Sequence, residues 1–114
     1  MIQAQALLAG KVTQSSSTDN ATATVTVSAI EGQTHFMLGV SADYNVALNA
    51  LKAITIIQGS TTVLVFEWDF NNGAFHFAFP AAIKGVLGGA VSATLEASGT
   101  NSTFGRISLY HFAN

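Results

Sequence analysis

The chain has 114 residues, of which 49% are apolar and only 9% are charged, and its formal net charge is −2 at pH 7. An ordinary soluble domain has roughly 25% charged residues, so partners or uncharged polar groups must cover much of this surface. The four basic residues are widely spaced, which argues against nucleic-acid binding, because phosphate recognition needs clustered Lys and Arg. They are Lys11, Lys52, Lys84 and Arg106.

Cysteine is absent, which excludes disulfides and thiolate metal sites. No stretch approaches the roughly 18 uninterrupted apolar residues of a membrane-spanning helix, so we expect no membrane partner. The length is typical of one domain. We assign residues 1–20 to an N-terminal arm or edge strand followed by a polar loop, and residues 21–114 to a single β-sandwich domain.

The first strands are predicted by alternation. Residues 21–30, ATATVTVSAI, alternate apolar residues with Thr, as a half-buried strand does. Residues 35–44, HFMLGVSADY, predict a second strand, with Phe36 and Val40 on one face and Met37 on the other, and Gly39 marks a bulge or a close backbone approach. Residues 43–51 have helical spacing as well, and one or two helical turns remain an alternative there.

A first hairpin is predicted around Gly59-Ser60, which suits a type II′ turn. The two-residue loop places Lys52 opposite Glu67 and makes one face of the sheet apolar. Because an antiparallel sheet usually leaves one face to water, this apolar face predicts an interface with a partner. Its candidate residues are Ile54, Ile56, Val63 and Val65.

A second hairpin is predicted at Asn72-Gly73, since an Asn-Gly pair between alternating apolar runs favours a type I′ turn. The resulting register gathers six aromatic side chains on one face, which we predict to be the centre of the core. These residues are Phe66, Trp68, Phe70, Phe75, Phe77 and Phe79.

Two further strands follow Pro80, which cannot donate to a strand ladder. Residues 90–97 alternate with Val91, Ala93 and Leu95 inward, and residues 106–112, RISLYHF, form the last strand. About seven strands at this spacing are typical of an all-β fold, a single antiparallel β-sandwich of the jelly-roll or immunoglobulin-like type.

Catalytic and metal-binding patterns are weak. Glu67 and Asp69 share a strand face, but we interpret them as ion pairs with Lys52 and His76 rather than as an acid and base pair. The three histidines lack the spacing of a metal site, and no G-x-S-x-G nucleophile motif is present. We expect no enzyme activity, no cofactor and no metal.

The segments of residues 34–44, 54–70, 75–100 and 105–112 resemble small β-sandwich virion proteins of tailed bacteriophages, of the capsid decoration or cement type. The most recognisable parts are F-x-F-P at residues 77–80, G-x-x-G at residues 85–88, and AVSATL followed by ASGT at residues 97–100. The resemblance implies a non-enzymatic protein on the capsid surface of the virion that stabilises the phage shell. It further implies a homo-oligomer, with a trimer favoured, and the major capsid protein as partner.

The alternative is a carbohydrate- or receptor-binding module of a phage tail or fibre. That function requires exposed aromatic side chains in a shallow groove, and the candidates in this sequence are Trp68, Tyr44 and Tyr110.

Overall fold

Eight strands and one short 3₁₀ helix form the part of the chain, residues 10–114, that the computed structural model describes. The apolar start of the predicted arm, residues 1–9, lies outside it. The strands are β1 Lys11–Ser16, β2 Ala23–Val27, β3 His35–Tyr44, β4 Leu51–Gln58, β5 Thr61–Asp69, β6 Phe75–Lys84, β7 Val91–Leu95 and β8 Gly105–Ala113, with the 3₁₀ helix at Phe70–Asn72.

The strands pair into two four-stranded antiparallel sheets, in the orders β1-β8-β3-β6 and β2-β7-β4-β5. The pairs β1 with β8, β2 with β7, β3 with β6 and β4 with β5 are nested. This nested pairing arises when one long hairpin is wound into two packed sheets, and the resulting fold is called a jelly roll. The predicted β-sandwich is therefore confirmed, and of its two predicted variants the strand order is that of the jelly roll. The strand count is eight rather than about seven, because an outer strand, β1, lies within residues 1–20, whose sequence predicts an arm or edge strand followed by a polar loop.

Alternation places the core between the two sheets. In β2, Ala23, Val25 and Val27 are buried, while the Thr residues between them are exposed. In β7, the predicted inward residues, Val91, Ala93 and Leu95, are all buried. Both strands bury every second side chain, as the pleat of a half-buried strand dictates.

Strand β3 has the predicted bounds and contains an irregularity at the predicted glycine. The register with both neighbouring strands shifts between Met37 and Gly39, so Met37 and Val40 both lie in the core, and their predicted placement on opposite faces is wrong. A Cβ on Gly39 would lie 2.7 Å from the backbone oxygen of Phe77. The predicted close backbone approach is confirmed, and it excludes a side chain here. Residues 45–50, which follow the strand, contain no helix.

The predicted hairpin at Asn72-Gly73 is wrong. Strand β5 belongs to one sheet and β6 to the other, and the 3₁₀ helix Phe70–Asn72 carries the chain between them. Asp69 caps this helix by accepting a hydrogen bond from the backbone N–H of Asn71 at 3.0 Å. Of the two predicted turn residues only Gly73 has positive φ, whereas a type I′ turn needs positive φ at both.

The hairpin at Gly59-Ser60 is confirmed, but its register holds only beside the turn. Gln58 pairs with Thr61 as predicted, and the register then shifts by one residue at Val63. Such an extra residue on one strand is a β-bulge. Beyond it, Lys52 lies opposite Trp68 instead of Glu67.

Candidate interaction surface

The four residues predicted to form an interface do not share a surface. Ile54 and Ile56 are 0% exposed and belong to the core, so their prediction as interface residues is wrong. Strand β4 lies inside its sheet, between β7 and β5, and its inward face carries these two side chains. Val63 is partly buried against the same core, and Val65 alone is well exposed, at 57%.

The six predicted core aromatics are brought together, but across the two sheets instead of across a hairpin. The ring of Phe66 on β5 lies 5.4, 5.0 and 6.5 Å from those of Phe75, Phe77 and Phe79 on β6. Phe75 and Phe79 are buried, as is Phe70, whereas Phe66 and Trp68 are partly buried against the core. Phe77 is 39% exposed, so its assignment to the core is wrong.

Two large apolar side chains are exposed where the outer strands β5 and β6 approach each other from the two sheets. They are Leu64 (39%) and Phe77 (39%), and the Phe66–Phe77 ring contact joins the two strands. Val65 pairs with Thr55 and points to the opposite face of its sheet, so it lies outside this surface. We call this surface the β5–β6 side. Alternation places Leu64 on the same face as Phe66, as the register confirms, but it does not reveal that Leu64 is exposed at the outer strand of its sheet.

The polar pairs differ from those predicted. Lys52 forms its ion pair with Glu96, at 3.6 Å, since the register shift moves it away from Glu67. Asp69 serves as the helix cap described above and not as the partner of His76. The two predicted ion pairs, of Glu67 with Lys52 and of Asp69 with His76, are therefore wrong.

Two of the histidines are buried at one end of the sandwich. His35 Nε2 lies 2.7 Å from the carbonyl oxygen of Ser28, and His111 Nε2 lies 2.7 Å from Thr13 Oγ1. Burial lowers the pKa of His111, and the nearby His35 and Lys11 lower it further. Within residues 10–114, no group of three or more potential ligands is placed to hold a metal ion.

The three aromatic candidates for sugar stacking lie in different environments. Tyr44 is buried, and its hydroxyl donates a 2.6 Å hydrogen bond to the carbonyl oxygen of Glu96. Burial, and secondarily the charge of Glu96, raises its pKa. Trp68 is half-buried and donates from Nε1 to the carbonyl oxygen of Gly73 at 3.0 Å. Burial therefore excludes Tyr44 as a stacking surface, and Trp68 is only partly exposed.

Tyr110 lines a shallow groove on the outer face of the sheet that contains β3. A cavity of about 240 Å³ there is lined by Tyr110, Ser41, His76 and Gly39, among others. A neighbouring cavity of about 280 Å³ shares Ser41 and His76 and adds Arg106. Tyr44 also lines a cavity with polar residues, among them Asp43 and Asn45, but its ring is buried, so the groove at Tyr110 is the better candidate for binding a sugar.

No protein-family model and no curated protein sequence matches the chain. Among solved structures, similarity is found to a chain in the cryo-electron microscopy structure of a virus-like particle of the extra small virus of the giant freshwater prawn, Macrobrachium rosenbergii. The match covers 90% of this chain and 77% of that chain, with 16% identity and a TM-score of 0.35. Similarity at this level carries no argument about fold or function. Across residues 10–114 no helix combines the length and apolarity that crossing a bilayer requires.

Proposed function

We propose that the chain is a non-enzymatic structural protein of a virion that works by burying surface against other protein subunits. The observation that carries the proposal is the β5–β6 side, where Leu64 and Phe77 expose apolar surface on a chain with only 9% charged residues. Apolar side chains grouped on one surface favour association, because burying them removes them from water.

The more specific form of the proposal is a capsid decoration or cement protein on the surface of a phage shell. Its support is the sequence resemblance given above, which implies a homo-oligomer, with a trimer favoured, that contacts the major capsid protein. The jelly roll is compatible with this role, since the fold recurs in viral capsid domains, but it recurs in lectins and cupins too. Fold analogy alone therefore does not choose among them.

The test is to purify virus particles whose genomes encode this chain and to measure the number of copies of the chain per particle by quantitative mass spectrometry. A decoration protein is expected in a fixed ratio to the major capsid protein, and particles stripped of it should lose heat resistance. Absence of the chain from purified particles would contradict the proposal.

The contribution of the β5–β6 side is tested by rebinding purified chain to stripped particles. The double substitution Leu64→Ser with Phe77→Ser should weaken rebinding at least tenfold. The matched control is Val12→Ser, because Val12 is well exposed (57%) but lies on β1, away from this side. Equal binding by both variants would show that shell contacts use another surface.

The second candidate function is a carbohydrate- or receptor-binding module of a tail or fibre, and the groove at Tyr110 favours it. An aromatic ring beside hydroxyl and imidazole groups provides both a stacking surface and hydrogen-bonding groups for a sugar, and the Arg106–Asp43 ion pair lines the neighbouring cavity. Glycan-array binding that Tyr110→Ala abolishes would support this function, and the absence of any glycan binding would exclude it.

A further inference from the structure

The outer face of the sheet that contains β3 carries a continuous row of polar side chains. Gln14 on β1 pairs with Ser108 on β8. Ser41 on β3 pairs with Ser108 on one side and with His76 on β6 on the other. Directly paired residues share a face of the sheet, and the residues before and after Ser108 belong to the core, so all four side chains face outward. We call these four residues the polar row.

Ser108 provides the observation that points to a ligand. It is only 8% exposed, and within residues 10–114 its hydroxyl makes no hydrogen bond. All four residues of the polar row line the cavity of about 280 Å³ beside the groove at Tyr110. A polar group that folding shields from water without giving it a partner costs free energy. A ligand hydroxyl in this cavity supplies the hydrogen bond that the Ser108 hydroxyl lacks.

The charges beside the polar row cancel each other. Arg106 pairs with Asp43 across β8 and β3, and its Nε and Nη2 donate to the two carboxylate oxygens of Asp43 at 3.1 and 2.9 Å. Among the residues that line the two cavities of the groove, these are the only acidic and basic side chains besides the His76 imidazole. Because a carboxylate already occupies both of these guanidinium donors, the groove suits an uncharged ligand better than an acidic one.

We propose that the groove binds an uncharged oligosaccharide that lies along the polar row, with Tyr110 as its stacking surface. This inference rests on the second candidate function and names its ligand class. The Tyr110 hydroxyl lies 3.5 Å from Ser41 Oγ, so the ring is beside the row. Four residues on neighbouring strands span three strand spacings, about 14 Å. That span is longer than one pyranose ring, so the row matches an oligosaccharide and not a monosaccharide.

The first test uses a glycan array in which each neutral oligosaccharide has a sialylated or uronic-acid counterpart. The natural chain should bind neutral oligosaccharides more tightly than their acidic counterparts. Calorimetry with the tightest neutral trisaccharide then compares two variants. Ser108→Ala, which removes no hydrogen bond of the fold, should weaken binding about fivefold, the equivalent of one hydrogen bond. The matched control is Ser92→Ala, because Ser92 lies on β7 in the other sheet and should leave binding unchanged.

A second test removes both ends of the polar row, Gln14→Ala with His76→Ala, at two exposed positions, and circular dichroism checks the folding. This double variant should bind the trisaccharide about tenfold more weakly and its monosaccharide within about twofold of the natural chain. Tighter binding of acidic glycans, or no effect of Ser108→Ala, would overturn the inference. Glycan binding that Tyr110→Ala still abolishes would then leave the second candidate function in place, whereas no glycan binding at all would exclude both.

Discussion

Replacing Ile56 and Val65 by Ala should separate a core residue from a surface residue of the same hairpin. Ile56 is 0% exposed, and truncation of a buried Ile to Ala destabilises a protein by about 2–5 kcal/mol. Val65 is 57% exposed, so less than half of the roughly 1.5–2 kcal/mol for full burial of a Val applies, which leaves about 0.7 kcal/mol. Both substitutions remove a β-branched residue from a strand, so the change in strand propensity is common to the two.

The assay is thermal unfolding followed by circular dichroism at low micromolar concentration. At this chain length about 1 kcal/mol corresponds to roughly 4 °C in Tm. Ile56→Ala should therefore lower Tm by about 8–20 °C and Val65→Ala by about 3 °C. Equal shifts for the two variants, or an Ile56→Ala variant within about 3 °C of the natural chain, would refute the burial of Ile56 and with it the register of β4.

Three further changes test other parts of the structure. Because folding lowers the pKa of His111, the unfolded chain takes up a proton at a higher pH than the folded chain does, and Tm should fall as pH drops below about 6.5. His111→Gln should reduce that fall in Tm, whereas His76→Gln, the control at an exposed site, should not. Gly39→Ala places a Cβ 2.7 Å from a backbone oxygen of the neighbouring strand and should lower the free energy of unfolding in urea by about 1–3 kcal/mol. Tyr44→Phe removes the 2.6 Å hydrogen bond to the Glu96 carbonyl and should cost about 0.5–1.5 kcal/mol, and an unchanged Tm would contradict that bond.

Much of the fold follows from alternation alone. The period of two in β2, β3 and β7 predicts strands and, in β2 and β7, the buried face as well. The pattern of β3 fails only at Gly39, where the glycine itself indicated an irregularity. Alternation reports which side chains share a face, and it contains no information on which strand lies alongside.

The register of the β4–β5 hairpin shows how a local rule loses accuracy with distance from the turn. The two-residue loop sets the pairs next to Gly59-Ser60 correctly, and the bulge at Val63 then shifts every later pair. Neither Val63 nor its neighbours differ in residue type from an ordinary strand, so no sequence signal marks the bulge. The predicted interface of Ile54 and Ile56 depended on the unshifted register and failed with it.

The misassigned Asn-Gly hairpin bears on the candidate surface directly. Alternation correctly indicated that Phe66, Phe75 and Phe79 lie together, and either a hairpin or a contact across two sheets satisfies that requirement. Had β5 and β6 formed a hairpin, each would have covered an edge of the other. Because they pair with β4 and β3 instead, each is an outer strand of its sheet within residues 10–114, and both lie on the same side of the sandwich. The long-range pairing, which the sequence does not reveal, is therefore what exposes Leu64 and Phe77 on that side.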